Sequence, residues 1–90
     1  LKQLPKKLTV IGGGYIGCEF ASLYRTLGVE VTILEMLPQI LSTEGKEVGE
    51  FMRAAFERQG IIIRTGVRVD GIDRTKNGLS IRIDGGEPVE

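Results

Sequence analysis

The sequence Val10-Ile11-Gly12-Gly13-Gly14-Tyr15-Ile16-Gly17 carries the strongest structural signal in this chain. Before it, residues 8–11 form a short apolar run that is rich in β-branched side chains and predicts a buried strand. After it, apolar side chains recur at steps of three and four up to Gly28, which predicts an amphipathic helix over residues 15–27. The stripe of that helix consists of Ile16, Phe20, Leu23, Tyr24 and Leu27.

The glycines of this turn follow the pattern G-x-G-x-x-G. Gly12 permits a tight bend, Gly14 lets bare backbone approach a pyrophosphate, and Gly17 lets the helix pack closely on the strand. The start of the helix supplies unpaired N–H groups and the positive end of its dipole. Because the motif follows a predicted strand and opens a predicted helix, it indicates a dinucleotide-binding turn rather than a plain bend.

An acidic residue stands where a dinucleotide site needs one. Residues 29–34 predict a second strand, and Glu35 follows it, 21 residues beyond Gly14. A carboxylate there accepts hydrogen bonds from both hydroxyls of the adenosine ribose and repels a 2′-phosphate. No arginine lies in the loop directly after it. The pattern therefore favours NAD over NADP, although a solvated acid at a strand end is the simpler alternative.

The middle of the chain predicts a second helix and a third strand. Residues 36–43 lack a sustained period and read as a loop, with Ser42 or Thr43 as candidate cap of a helix over residues 44–59. Gly60 ends that helix, and residues 61–63 then predict a strand parallel to the first two. The apolar stripe predicted to lie against the sheet comprises Val48, Phe51, Met52, Ala55 and Phe56.

The last third changes to alternating apolar and polar residues. Asn77-Gly78 is a strong hairpin signal, Gly85-Gly86 indicates another turn, and residues 88–90 begin a further strand. The predicted fold class is therefore α/β: a Rossmann-like parallel β-α-β-α-β sheet followed by an antiparallel β-meander. A final parallel strand is expected beyond Glu90, on the other side of the first strand.

Composition excludes several classes of function. The chain has 90 residues, enough for one small domain, with twelve basic and twelve acidic side chains, so no basic surface for nucleic acid is expected. No run has membrane-spanning length, and the single cysteine, Cys18, is compatible with a cytoplasmic location. Because the chain lacks histidine and an initial methionine, we expect it to be a piece of a longer protein.

Residues 4–22, residues 27–41 and the stretch Arg64-Thr65-Gly66-Val67 together resemble the NAD domain of the FAD-dependent pyridine nucleotide-disulfide oxidoreductases. Within that family they are most similar to the dihydrolipoyl dehydrogenases, while NADH oxidases, mercuric reductases and glutathione reductases share much of the pattern. The resemblance implies a homodimeric parent in which dihydrolipoamide reduces a cysteine pair, the pair reduces FAD, and the flavin passes hydride to NAD.

The resemblance also assigns roles to three individual residues. Tyr15 matches a side chain that covers the nicotinamide side of the flavin, Glu19 matches an acid near the nicotinamide, and the backbone at Val67 matches one that borders the adenine. Each has a simpler explanation: a ring packed at a helix start, a carboxylate favoured by the helix dipole, and a strand valine. The family's cysteine pair, FAD segment and catalytic histidine belong to other domains, so Cys18 is expected to pack in the core.

The sequence thus predicts that residues 1–90 form a NAD(H)-binding domain without catalytic residues or a metal site. We expect it to bind NAD weakly, to be inactive alone and to self-associate through the open edge of its first strand. A non-catalytic NAD-sensing module and a structural domain that has lost its ligand are the alternatives. The predicted coenzyme-binding residues are Gly12, Gly13, Gly14, Tyr15, Ile16, Gly17, Glu19, Glu35 and Val67.

Overall fold

The structure is a computed structural model that describes residues 5–75, 78–84, 86 and 89. Its elements are β1 (Lys7–Ile11), α1 (Tyr15–Thr26), β2 (Glu30–Glu35), a 3-10 turn (Ser42–Glu44), α2 (Lys46–Arg58), β3 (Ile62–Thr65), β4 (Val69–Thr75) and β5 (Gly78–Ile83). The predicted α/β class and the predicted β-α-β-α-β order are confirmed. The second and third strands begin one residue later than the sequence predicts, and β3 runs on to Thr65.

Strands β1, β2 and β3 form one parallel sheet with β2 in the centre. Val10 lies opposite Ile33, and Ile33 lies opposite Ile63. Because successive side chains of a strand point to opposite faces, these three side chains share one face of the sheet. Residues of α1 and α2 belong to the same hydrophobic core as Ile33 and Ile63, so both helices cover that face.

Helix α1 turns a different side towards the sheet from the one that its apolar stripe predicts. Its buried residues are Cys18 and Ala21, and of the stripe only Tyr24 packs against the core. Small side chains at the contact, together with Gly17, let the helix approach the sheet closely. The core position expected for Cys18 is confirmed. The prediction was wrong for the four remaining stripe residues, each at least half exposed: Ile16, Phe20, Leu23 and Leu27.

The start of α2 also differs from the prediction. Leu41 and Gly45 adopt positive φ values of 53° and 95° on either side of the 3-10 turn, and Gly45 separates that turn from the helix. Helix α2 therefore begins two residues later than predicted, with Gly45 as its N-cap. Neither Ser42 nor Thr43 caps it, so that prediction was wrong.

The buried face of α2 is centred on Gly49 and Phe56. An ideal Cβ on Gly49 would lie 2.8 Å from Ile40 O, so this glycine lets the helix touch the loop after β2. Because the helix turns its Gly49 side inwards, Val48 and Phe51 point away from the sheet. The prediction that these two residues face the sheet was wrong. These two side chains are 46% and 69% exposed.

The predicted antiparallel pairing is confirmed by β4 and β5, which form a two-stranded hairpin. Ile81 and Ile83 of β5 pack with Leu34 in a second, smaller core on the face of the sheet opposite the helices. The hairpin therefore covers the carboxyl end of β2.

The turn signals of the last third fall partly outside the described residues. Gly78 lies opposite Thr75 and opens β5, while Asn77 is not among the described residues. Val89 pairs with Ile81 in antiparallel fashion, as expected for a further extended segment. The remaining positions of the predicted turn and strand, Gly85, Pro88 and Glu90, also lie outside the described residues.

One edge of the sheet is open. Within the described ranges, β1 has a strand neighbour only on the side of β2. Beside it, a cleft of about 760 Å³ separates the sheet from the hairpin. Ile11, Ile72 and Leu79 line this cleft, and each is about half exposed. Neither α1 nor α2 combines the length and the hydropathy that a bilayer-crossing helix needs.

Candidate functional site

The glycine turn of residues 12–17 begins directly after β1 and is shaped by its first and last glycines. Gly12 has a φ of 104°, which L side chains rarely adopt, and its N–H donates to Leu34 O at 2.7 Å. An ideal Cβ on Gly17 would lie 2.5 Å from Gly12 O and 3.1 Å from Val10 Cγ1. Any side chain at position 17 would therefore push α1 away from β1.

Gly14 differs from these two because nothing in the described part of the chain requires glycine there. Its φ of −80° and ψ of −179° suit any residue, and an ideal Cβ would meet no atom within 4 Å. Gly14 is the N-cap of α1, and no side chain caps this helix start. The first helical hydrogen bond runs from Cys18 N–H to Gly14 O, so the N–H groups of residues 15–17 have no acceptor within the helix. The open space at Gly14 can thus receive an anionic group.

Glu35 ends β2 with its carboxylate directed at the glycine turn. Oε1 accepts the Gly13 N–H at 2.7 Å, and Oε2 accepts the Leu37 N–H at 3.0 Å. An ionised carboxylate offers about four acceptor sites, so these two backbone bonds use half of its capacity. The side chain is partly exposed, and its remaining lone pairs can accept the two hydroxyls of a ribose.

The loop after β2 folds back onto the glycine turn, a contact that the sequence did not predict. Leu41 N–H donates to Gly13 O at 2.7 Å, and the Cys18 thiol donates to the same oxygen at 3.6 Å. Burial raises the pKa of the Cys18 thiol, and the charge of Glu35 raises it further. Cys18 is therefore a neutral, buried donor beneath the turn.

Tyr15 and Glu19 lie one turn apart on the solvent side of α1. Both are exposed, and a hydrogen bond from the Tyr15 hydroxyl to Glu19 raises the pKa of Tyr15, with the negative charge of Glu19 adding to the effect. Ile16, beside them in the first turn of the helix, is 69% exposed. These three side chains leave the outer side of the helix start accessible to a ligand.

A backbone hydrogen bond holds Val67 beside Glu35. Its N–H donates to Glu35 O at 3.1 Å, and the preceding Gly66 N–H donates to Leu37 O at 2.9 Å. The Val67 side chain packs against the smaller core under the hairpin. The segment after β3 thus forms a wall next to the carboxylate of Glu35.

The structure brings the glycine turn, Glu35 and Val67 to the carboxyl edge of the sheet, where open α/β sheets bind their ligands. Tyr15 and Glu19 lie at the outer side of the same edge. Sequence reasoning missed the loop residues that hold this edge together, Leu37, Ile40 and Leu41. One feature of the sequence could have indicated this contact. Gly13, the middle of three consecutive glycines, is not required by the G-x-G-x-x-G pattern, so an extra glycine there indicates close packing against another segment.

Known proteins of one family resemble this chain. Residues 1–89 match the family described as pyridine nucleotide-disulphide oxidoreductase. The dihydrolipoyl dehydrogenase of Chlamydia pneumoniae is 48% identical over 84 residues, which make up 93% of this chain and 18% of that protein.

Two solved structures have the same fold. The HOCl-induced flavoprotein disulfide reductase from Escherichia coli has a TM-score of 0.90 and 32% identity, over 99% of this chain and 20% of that one. The water-forming NADH oxidase from Lactobacillus brevis, bound to NADH, has a TM-score of 0.86 and 27% identity, over 94% of this chain and 19% of that one. The chain thus spans about a fifth of the length of the proteins it matches.

Proposed function

The chain belongs to the pyridine nucleotide-disulphide oxidoreductase family, and from this premise we propose that it is the NAD(H)-binding unit of an FAD-dependent disulfide reductase. The parent protein would be of the dihydrolipoyl dehydrogenase type, which oxidises dihydrolipoamide with NAD⁺ through FAD and a redox disulfide. The name and the high identity of the chlamydial relative support this choice over an NADH oxidase or a mercuric reductase.

The observation that carries the proposal is the bond between the Glu35 carboxylate and the Gly13 N–H. It holds a partly exposed acceptor beside a helix start whose N–H groups are free of side-chain caps. A dinucleotide needs these two features side by side, since its pyrophosphate is anionic and its adenosine ribose carries a hydroxyl pair.

The residues of this chain would bind and orient the coenzyme. The pyrophosphate would lie at Gly14, the ribose hydroxyls would donate to Glu35, and the adenine would lie beside Val67. The nicotinamide end would extend towards Tyr15 and Glu19. When bound, NAD⁺ accepts a hydride, and none of these residues has to transfer a proton for that step.

Coenzyme choice would depend on Glu35. Two backbone donors hold its carboxylate at the turn, so its negative charge would lie beside a 2′-phosphate at the ribose and repel it. The loop of residues 36–39 contains no arginine that could neutralise such a phosphate. We therefore propose NAD(H) rather than NADP(H) as the coenzyme.

Flavin and disulfide chemistry would belong to other parts of the parent protein. Cys18 is the single cysteine of the chain and is buried with its thiol bonded to Gly13 O, so it cannot supply a redox pair. The flanking gene sequence tests this proposal. A cysteine pair upstream and a histidine-bearing domain downstream would support a homodimeric flavoenzyme, while their absence would favour a non-catalytic NAD-sensing module.

The isolated chain should bind NAD⁺ weakly. The ligand crevice of a doubly wound sheet lies between the first strand and a strand on its other side, and that side of β1 is unpaired in the described ranges. One side of the crevice would then be open to water. Calorimetric titration should give a dissociation constant well above micromolar, and a submicromolar value would contradict the one-walled site.

Substitution of Glu35 tests the proposal most simply. Glu35→Gln removes the charge but keeps an oxygen that can accept the Gly13 N–H. We expect it to weaken NAD⁺ binding about tenfold, since a hydrogen bond to a charged group contributes about 1.5–3 kcal/mol. Binding of NADP⁺ should be unchanged or stronger.

Glu30→Gln is the matched control, because it removes the same charge from the opposite end of the same strand. Glu30 is exposed, and its only ion pair in the described ranges is a loose one to Lys7 at 4.0 Å. Equal effects of the two substitutions on NAD⁺ binding would overturn the assignment of Glu35.

A further inference from the structure

Gly13 is the point where the glycine turn and the loop after β2 meet. Its N–H donates to Glu35 Oε1, and its carbonyl oxygen accepts both the Leu41 N–H and the Cys18 thiol. The residue is buried. All of its backbone hydrogen-bonding groups therefore serve the protein, and none is left for a ligand.

Space, rather than backbone conformation, demands a glycine at this position. Gly13 is not among the residues with positive φ. An ideal Cβ would lie 2.7 Å from Ile40 Cγ2, 3.1 Å from Ile40 Cβ and 3.3 Å from Glu35 Oε1. The first of these distances is shorter than real Cβ contacts allow, so a methyl group here must displace Ile40 or shift the backbone of residue 13, whose N–H donates to the carboxylate.

The loop on the other side of this contact cannot easily give way. Ile40 is 1% exposed and belongs to the main core. Leu41 is held at a φ of 53°, a left-handed conformation that L side chains rarely adopt, and its side chain is also buried. With Ile40 and Leu41 held in place, the backbone of residue 13 must shift instead, and the partly exposed Glu35 carboxylate either follows its N–H or loses that hydrogen bond.

The geometry points to Gly13 as a positioning residue that sets where the Glu35 carboxylate stands relative to the pyrophosphate turn, without touching the coenzyme itself. This inference rests on the proposed function, because the position of Glu35 affects coenzyme binding only if its carboxylate accepts hydrogen bonds from the ribose hydroxyls. It assigns a role to the one glycine of the turn that the G-x-G-x-x-G pattern leaves free.

Paired substitutions of Gly13 and Ile40 test the inference. Gly13→Ala should weaken NAD⁺ binding about tenfold, the loss expected when a hydrogen bond to a charged group is misplaced. Ile40→Leu moves the branch of the side chain away from Cβ and removes Cγ2 at constant volume. The double variant should therefore recover most of the lost affinity.

The readout is the affinity gap between NAD⁺ and its 2′-deoxyadenosine analogue, measured by NMR titration of the whole chain. In the unsubstituted chain the analogue should bind more weakly, because it lacks one hydroxyl for Glu35. In Gly13→Ala this gap should close, and in the double variant it should reopen. A purely structural role would lower the melting temperature and leave the gap unchanged.

Gly14→Ala is the matched control. Its Cβ has no atom of the described residues within 4 Å, so the substitution should weaken binding of both ligands equally through the pyrophosphate and keep the gap. If Gly13→Ala does not fold, the double variant decides alone, and a folded double variant without the gap overturns the inference.

The two levels of the proposal fail in different ways. An unsubstituted chain that does not bind NAD⁺, or shows no gap, would overturn the proposed function and this inference with it. A gap that is present in the unsubstituted chain and persists in Gly13→Ala would overturn the inference alone.

Discussion

At the scale of single residues, Gly14 and Gly17 belong to one turn but answer to different demands. A Cβ at Gly17 would press on the Gly12 carbonyl, whereas a Cβ at Gly14 would have none of the described residues within 4 Å. Packing therefore requires glycine at position 17, and we propose that a ligand requires it at position 14.

The same substitution at the two positions should therefore affect two different properties, stability at Gly17 and ligand binding at Gly14. Gly17→Ala should lower the free energy of unfolding by roughly 1–3 kcal/mol through overpacking. This loss should exceed the stability gained because alanine has a higher helix propensity than glycine. Gly14→Ala should change stability by less than about 0.5 kcal/mol but weaken NAD⁺ binding. Urea denaturation measures the first effect and titration the second. A stable Gly17→Ala variant would show that α1 is not packed as described.

The buried thiol of Cys18 predicts a pH dependence of stability. Its pKa is raised in the folded chain, chiefly by burial, so the unfolded chain releases the thiol proton first as the pH rises. The stabilising contribution is complete below the unfolded pKa, about 8.5, and is lost as the pH rises towards the folded value.

Urea denaturation between about pH 8 and pH 10 tests this against a Cys18→Ala variant. The unsubstituted chain should lose stability over this range more steeply than the variant. The Tyr15 hydroxyl, whose pKa is also raised, is common to both proteins and cancels in the comparison. Parallel pH profiles would mean that the thiol is not buried in solution.

At the scale of elements, the orientation of α1 can be tested by two neighbouring residues. Ala21 is fully buried against the sheet, while Phe20 is 53% exposed. Ala21→Leu should cost roughly 1–3 kcal/mol in overpacking, and Phe20→Gln should change the free energy of unfolding by less than about 0.5 kcal/mol. The apolar stripe of the sequence predicts the reverse order, so denaturation of the two variants decides between them.

The sequence predicted which elements form and in what order, because periodicity and glycine positions are local signals. It also predicted that Glu35 would stand at the edge where the glycine turn lies, since parallel strands end on the same side. It could not predict how each helix rotates about its axis. That rotation depends on where small residues permit close approach, as Ala21 and Gly49 do, and such contacts join distant parts of the chain.

The contact between Gly13 and Ile40 escaped prediction for the same reason. Glycine at position 13 is compatible with many turns, and nothing in the loop of residues 36–43 has a period that marks it as packed. The contact depends on the left-handed conformation of Leu41, which a leucine rarely adopts and which no sequence rule anticipates.

At the scale of the whole molecule, the edge of β1 that has no strand neighbour among the described residues predicts self-association. An unpaired strand edge next to an apolar cleft favours pairing with another chain, and Ile11 lies at the end of that edge. Sedimentation velocity should show concentration-dependent association of the chain, and Ile11→Lys should reduce it.

The control for this substitution is Leu27→Lys, which adds the same charge at the half-exposed C-cap of α1, outside β1. If it reduces association as much as Ile11→Lys, the contact is not made through the β1 edge.

We propose that one edge of this sheet binds a dinucleotide, with the glycine turn on the pyrophosphate and Glu35 on the ribose. An NMR titration of the unsubstituted chain with NAD⁺, followed by the backbone amides, tests it directly. Saturable shifts should appear at residues 12–17, at Leu37 and at Val67, and NADP⁺ should produce them only at higher concentration. Shifts confined to other parts of the sheet, or equal responses to the two coenzymes, would contradict the claim.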